Sequence, residues 1–227
     1  MIKIEKLSKS FGAKQVLFDI NLNIEKGKVY GFVGDNGAGK STLFKCITGL
    51  EKYKGRILSD YSLLKNHIGY LPTQPYFFTR ITGKEYLRLF CNARKINQIN
   101  VDAYNIFNLP LQEYAMSYSI GMQKKLALTA VLLQKNDIYI LDEPFNGIDF
   151  EGSFIILKII NKLRERDKTV FISSHIFSTL NDTCDEIFIM NRGVITEKIF
   201  KENFTAFESK IKNRVYSNEH KIDNIDF

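Results

Sequence analysis

A chain that carries Gly34-Asp35-Asn36-Gly37-Ala38-Gly39-Lys40-Ser41-Thr42 has little freedom in how it folds around that segment. The spacing is a glycine, four further positions, then Gly-Lys-Ser, and it lets backbone N–H groups close around phosphate oxygens without interference from Cβ atoms. Chance supplies the four fixed positions in about one chain in a hundred of this length. The flanks narrow the reading further. Val29-Tyr30-Gly31-Phe32-Val33 is a short apolar run of the kind buried on both faces of a parallel sheet, and Leu43, Ile47 and Leu50 recur at helical spacing after the loop. Strand, glycine loop and helix in that order set a helix N-terminus, with its partial positive charge, against the phosphates. Lys40 is expected to reach the β- and γ-phosphates as a point charge, the Ser41 hydroxyl to ligate Mg²⁺, and Thr42 to add a phosphate hydrogen bond.

Downstream, Ile138-Tyr139-Ile140-Leu141 runs into Asp142 and Glu143. Two carboxylates at the end of a buried strand are costly unless a cation or a hydrogen-bond network compensates them, and Mg²⁺ beside a triphosphate does so. Asp142 is therefore the expected metal carboxylate. Glu143 is expected to orient and polarise the attacking water as general base. A further strand-like run, Thr169 to Ile172, ends at Ser173-Ser174-His175. Parallel strands bring their carboxyl ends to one rim, so His175 and Glu143 are expected to converge on the γ-phosphate. His67 and His220 have no such placement and read as ordinary polar residues.

The rest of the chain fits one core with an inserted lobe. Its 227 residues are 44% hydrophobic, and apolar runs at Ile68 to Leu71, Val170 to Ser173 and Ile187 to Met190 add strands to an α/β sheet. Residues 82 to 135 are helix-like, with Tyr86, Leu87, Phe90 and Cys91 on one helical face and Leu126, Ala130 and Leu133 on another. Met190 to Ile195 reads as a hairpin, and the final stretch of mixed charge as a short peripheral helix followed by a frayed tail. Apolar runs stop well short of a membrane span, and the N-terminus has no secretory apolar segment. Cys46, Cys91 and Cys184 form no metal-ligand spacing and read as small buried hydrophobes in a reducing compartment. The formal charge of +7 is concentrated in the first 56 residues. It suits attraction of a triphosphate or anionic lipid, or simple solubility, and no helix-turn-helix, zinc-finger or RNA-binding sheet pattern accompanies it, so no nucleic acid is expected.

Tyr118-Ser119-Ile120-Gly121-Met122 precedes the helix holding Leu126. Ser119 is a good N-cap, and a capped helix N-terminus is also an anion site. The segment lies away from the chain's own glycine loop, so the anion it meets is expected to belong to another copy.

With these segments in view, residues 1 to about 200 resemble the nucleotide-binding subunit of an ATP-binding cassette (ABC) transporter. Gly34 to Thr42 matches that family's Walker A motif, Ile138 to Glu143 its Walker B, Tyr118 to Met122 its signature, Gly147-Ile148-Asp149 its D-loop and His175 its switch histidine. Phe11 falls where the family places an aromatic that stacks on adenine. The resemblance implies a P-loop sheet core, residues 1–80 and 137–200, with a helical subdomain inserted at 81–136 and a tail at 201–227. It implies two subunits, alike or different, that sandwich two ATP molecules head to tail. Ser119 and Gly121 would bind the γ-phosphate of ATP held opposite, with Asp149 beside it. It also implies a peripheral place on the cytoplasmic membrane face and a separate permease, whose cytoplasmic helix docks between the sheet lobe and residues 73 to 110.

Several positions depart from the usual family pattern. Tyr118 stands where Leu is usual and Ile120 where Gly is usual, a variation that resembles exporter-type and drug-resistance branches. Spacing to Thr82 puts Thr73 at the family's switch glutamine, which contacts Mg²⁺ and water, with Gln74 one residue late; both are candidates. Phe11 in place of Tyr keeps the π-face. The function expected is ATP binding and hydrolysis that close and reopen a dimer and power the permease, in the export direction. A soluble ABC-type ATPase acting on ribosomes or nucleic acid is the alternative, and such proteins usually carry two cassettes or a long coiled-coil insertion. A cassette that binds ATP without turnover is suggested by Thr73 and Ile120 and opposed by the intact Lys40, Asp142, Glu143 and His175.

Overall fold

The computed structural model describes residues 1–96 and 99–216. In chain order the elements are β1 (Ile2–Phe11), β2 (Lys14–Ile24), β3 (Val29–Val33), α1 (Lys40–Ile47), β4 (Lys54–Ser59), β5 (Ile68–Leu71), α2 (Gly83–Ala93), α3 (Ile120–Leu133), β6 (Ile138–Leu141), α4 (Phe150–Glu165), β7 (Thr169–Ser174), the one-turn α5 (Ser178–Asn181), β8 (Glu186–Asn191), β9 (Val194–Phe200) and α6 (Phe204–Tyr216). Leu50, expected on the helix after the glycine loop, lies beyond the end of α1 and is exposed, because Gly49 turns the chain in the left-handed conformation.

Six strands form one sheet in the order β5-β6-β7-β3-β8-β9. The first five are parallel, and β9 closes the edge antiparallel to β8 through the expected hairpin. Every residue of β6 and β7 is buried, which is why β6 reads as an unbroken apolar run and β7 as the apolar core Val170 to Ile172 flanked by small hydroxyl residues. Their carboxyl ends carry Asp142, Glu143 and His175 to one rim, beside the loop that follows β3.

A second, three-stranded antiparallel sheet, β2-β1-β4, adds a layer that the sequence reading did not anticipate. The alternation of buried residues in β1 starts at Ile2 and Ile4 and then jumps to Leu7. A bulge at that point, with Lys6 in the left-handed region, shifts the inward face by one residue and erases the period-two pattern. Leu7, Leu17, Ile20 and Ile24 from this sheet pack with Phe32, Phe44 and Phe171 in one core that covers α1. The opposite face of the six-stranded sheet is covered by α3, α4 and α5.

Between β5 and β6 the chain runs through α2 and α3, which pack on one another and share the second core. Thr82 caps α2, accepting from the Glu85 N–H while the Glu85 carboxylate accepts from the Thr82 N–H. α3 is buried on nearly every side. Over residues 94–96 and 99–119 the path is irregular apart from short 3-10 turns, so the helix-like reading holds for the two helices and not for the described part of the stretch joining them. α6 is the short C-terminal helix; Phe204 is buried at its start with its ring against Phe177. The expected frayed tail beyond it, including His220, lies outside the described residues. Cys46, Cys91 and Cys184 are buried and unpaired.

The β8–β9 turn braces the glycine loop. The Gly193 N–H donates to Ala38 O at 2.9 Å, and Gly193 O accepts from the Phe18 N–H at 2.9 Å. Gly193 has φ +81°, and a Cβ there would lie 2.0 Å from Val16 O. Gly193→Ala must therefore adopt a strained backbone and push β2 off the loop. Thermal or urea unfolding is expected to show a loss of about 2–4 kcal/mol; a loss below about 0.5 kcal/mol, the range of a neutral surface change, would remove the brace.

Candidate functional site

Gly39, with φ +106°, turns the chain into α1, so that the first N–H groups of the helix face the loop. The loop closes on itself through the Ala38 N–H donating to Asp35 O at 3.0 Å. It forms one wall of a groove of about 680 Å³ that is also lined by Lys14, Val16, Phe18, Thr73, Glu143 and Arg192. Lys40 folds back across it, with Nζ donating to Gly34 O at 2.5 Å and Asp35 O at 3.3 Å. Its third neighbour is Glu143 Oε1 at 3.5 Å.

Asp142 is 1% exposed and fully engaged. Oδ1 accepts from Ser173 Oγ at 2.5 Å and Oδ2 from Thr73 Oγ1 at 2.8 Å. Ser173 is also the acceptor for the Glu143 N–H at 2.8 Å, so one buried hydroxyl on β7 orients both acidic residues. Burial, and next the Asp142 charge, holds the Tyr70 phenol well above its ordinary range, keeping it neutral beside that carboxylate.

Glu143 has φ +52°, a strained conformation for a residue with a side chain. The strain turns its carboxylate toward the groove. There Oε2 is 3.1 Å from His175 Nδ1, and Oε1 is buried with no hydrogen-bond donor. A buried carboxylate oxygen without a donor, facing a groove lined by N–H groups and a lysine, is poised to accept from a water or another ligand donor.

The second group of expected residues lies at the N-terminus of α3. Ser119 is its N-cap, accepting from the Met122 N–H at 3.2 Å, and Ile120 is 75% exposed. A Cβ on Gly121 would lie 2.5 Å from Gly147 O, so the first turn of α3 touches the turn that precedes α4. Asp149 caps α4 through the Gly152 N–H at 2.7 Å and pairs with Lys125 at 2.7 Å. Neither Ser119 nor Asp149 lines the groove beside the glycine loop.

Lys40, Ser41, Thr42, Thr73, Asp142, Glu143 and His175 are brought together, through the groove or the contacts just described. Gln74 is not: it is exposed and outside the groove, because the chain leaving β5 turns Thr73 inward. Phe11 is half exposed at the β1–β2 hairpin and also outside the lining, with Lys9 Nζ 4.4 Å from its ring centroid. Sequence reasoning missed Ser173, Lys124, Lys14 and Arg192. The available signals for the first two were a hydroxyl directly after the apolar run Val170 to Ile172 and a lysine two positions before the apolar stretch that begins at Leu126. The last two carry none, since they reach the groove only through the meeting of two hairpins.

A sequence model of the family described as "ABC transporter" matches residues 17–146. The bacitracin transport ATP-binding protein BcrA of Enterococcus faecalis is 32% identical over 216 residues, which is 88% of this chain and 69% of that protein. The lantibiotic transport ATP-binding protein SrtF of Streptococcus pyogenes is 33% identical over 213 residues, 87% of this chain and 90% of that one. Among solved structures, an ATP-binding subunit of an ABC transporter superposes with a TM-score of 0.78 at 27% identity, covering 89% of this chain and 91% of its own. The dimeric post-hydrolysis state of the ATP-binding cassette MJ0796, bound to ADP and Pi, shares the fold with a TM-score of 0.76 at 20% identity, over 88% and 99% of the two chains.

Proposed function

The chain belongs to the ABC transporter family as an ATP-binding, ATP-hydrolysing subunit, and from that premise we propose that it powers export by a separate membrane permease through ATP-driven closure of a cassette dimer. The observation that carries the hydrolytic part is the row Lys40–Glu143–His175, with Glu143 lining the groove and its Oε1 buried and undonated. Lys40 exchanges its backbone carbonyl acceptors for β- and γ-phosphate oxygens. Glu143 accepts a proton from the attacking water, and His175 holds the Glu143 carboxylate and bears on the charge that develops at the γ-phosphate.

Ser41 and Thr73 line the groove, and Thr73 donates to the buried Asp142 carboxylate behind it, a set of hard oxygen donors that fits Mg²⁺ held by one carboxylate together with substrate phosphates. Mg²⁺ when bound supplies positive charge against the charge gathering on the transferred phosphoryl oxygens. Thr73 already donates to Asp142, and that favours it over Gln74 for the position of the switch glutamine.

The domain reading is a sheet core, 1–80 and 137–200, with 81–136 as the helical insertion. At its edge Tyr76 and Phe78, 74% and 53% exposed, stack edge to face just beyond Thr73. An exposed aromatic pair just ahead of the insertion suits an apolar permease helix. Among the described residues no helix is long and apolar enough to cross a membrane, so the spanning part is assigned to that partner. The transport ATP-binding relatives named for bacitracin and lantibiotics support an antibiotic-peptide class of cargo.

Copurification from native cells in mild detergent, read by mass spectrometry, tests the assignment. A stoichiometric polytopic membrane protein is expected; ribosomes or nucleic-acid factors in its place would replace transport with the soluble alternative. The head-to-tail arrangement has its own test. Ser119→Arg sets a large cation at an exposed cap remote from the chain's own groove, so it is expected to weaken ATP-dependent dimerisation about tenfold or more while leaving monomer affinity for ATP intact. Unchanged dimerisation in analytical ultracentrifugation would remove the trans role of Ser119.

A further inference from the structure

Lys124 is a buried cation that the proposed chemistry leaves unused. It sits on α3 with 2% exposure, between Gln123 and Lys125, in a helix buried on nearly every side. Burying an ammonium is expensive unless its donors are taken up, and here two are: Nζ donates to Glu143 O at 2.8 Å and to Asn146 O at 2.9 Å. Burial also lowers its affinity for a proton, an effect that the nearby Glu143 and then Asp142 charges oppose.

Those acceptors are the backbone of the loop that presents the catalytic carboxylate. Glu143 stands in the left-handed region, a conformation that persists only where its surroundings over-determine it. Its N–H is held by Ser173 on β7, and its C=O by Lys124 on α3. The pair fixes the peptide planes on both sides of the strained residue, and with them the direction in which the side chain leaves.

The same face of α3 contacts the rest of the loop. Gly121 abuts Gly147 O, and Lys125 pairs with Asp149. Residues 121, 124 and 125 lie on one side of the helix at the i, i+3, i+4 spacing. The loop from 143 to 149 is thus tied at three points to the helix whose N-terminus carries Ser119.

Building on the assignment of Glu143 as general base, we propose that Lys124 is the positioning residue that couples α3 to the Glu143 carboxylate, so that displacement of the helix N-terminus is felt at the hydrolytic site of the same chain. Lys124 touches neither nucleotide nor water in this role. It acts by keeping Glu143 in its strained backbone geometry.

The test compares Lys124→Met, which keeps an unbranched apolar stem but no donor, with Lys124→Gln, which has the same reach as methionine and still carries an N–H donor; both end one bond short of the lysine ammonium. Both are assayed as full chains for ATP affinity and for kcat per nucleotide-bound molecule, beside Glu143→Gln. Misplacement of the carboxylate by a fraction of an ångström is expected to lower kcat about 10- to 100-fold in the methionine variant, with monomer ATP affinity within about twofold of wild type. The glutamine variant is expected to fall between the two. Amide hydrogen exchange over residues 143–147 should quicken in the same order. A kcat unchanged in both variants, with stability alone reduced, overturns the proposal. If the methionine variant does not fold, the glutamine variant decides: a lowered kcat at unchanged affinity supports the coupling, and wild-type kcat overturns it. Normal turnover in Glu143→Gln would instead remove the base assignment on which this proposal stands, so the two failures are separable.

Discussion

Glu143→Gln is expected to bind ATP at least as well as wild type and to lose about 10²- to 10⁴-fold in turnover, which corresponds to roughly 3–5 kcal/mol of lost transition-state stabilisation. The amide preserves the shape of the side chain and its place beside His175 Nδ1 and Lys40 Nζ. It removes the lone-pair basicity of the buried, undonated Oε1 and the negative charge beside the triphosphate. Without that repulsion the ATP-bound dimer should persist and be visible as a stable species by size-exclusion chromatography with MgATP. Turnover within about threefold of wild type in single-turnover assays would show that another group, or water alone, takes the proton.

How much of this site could be read before any coordinates depends on the kind of burial involved. β3, β6 and β7 are covered on both faces, so each shows as a short apolar stretch, and the functional side chains follow at its carboxyl end or in the loop beyond it. Lys40, Asp142, Glu143 and His175 were legible for that reason. The antiparallel β2-β1-β4 layer was not, because left-handed residues at Lys6 and Asp19 break the alternation that identifies a half-buried strand. Ser173 and Lys124 were hidden inside buried elements, where sequence pattern assigns a position to the core but cannot say that a hydroxyl or ammonium finds its partner on another element. The choice between Thr73 and Gln74 turned on one residue of register at the end of β5, and spacing arguments are weakest at such boundaries. Phe11 was located by family position alone. The structure puts its ring over Lys9, itself paired with Glu51, at the tip of a hairpin rather than in the groove wall, where Val16 and Phe18 supply the apolar surface.

Lys40→Met separates the two roles of the groove lysine. The ammonium makes charge-assisted hydrogen bonds worth about 1.5–3 kcal/mol each to groups that meet it, so loss of its phosphate contacts is expected to weaken ATP binding by more than about 100-fold. The variant should also be less stable without nucleotide. Lys40 and Glu143 are both buried, and removing the lysine leaves the glutamate charge in a poorly solvated place without its ion-pair partner in the groove. The full cost of orphaning a buried charge runs to about 3–5 kcal/mol. At 3.5 Å, and with the lysine also releasing the Gly34 and Asp35 carbonyls, about 2 kcal/mol is the expected share. The double variant Lys40→Met with Glu143→Gln then distinguishes electrostatic from steric causes. It should recover most of the stability, since no net charge is left buried, and recover none of the ATP affinity, since the phosphates still meet no cation. Denaturant unfolding and equilibrium nucleotide binding read the two quantities independently. If the double variant is no more stable than Lys40→Met, the lysine does not offset the glutamate charge; if Lys40→Met binds ATP within tenfold of wild type, the backbone N–H groups of the glycine loop hold the phosphates largely by themselves.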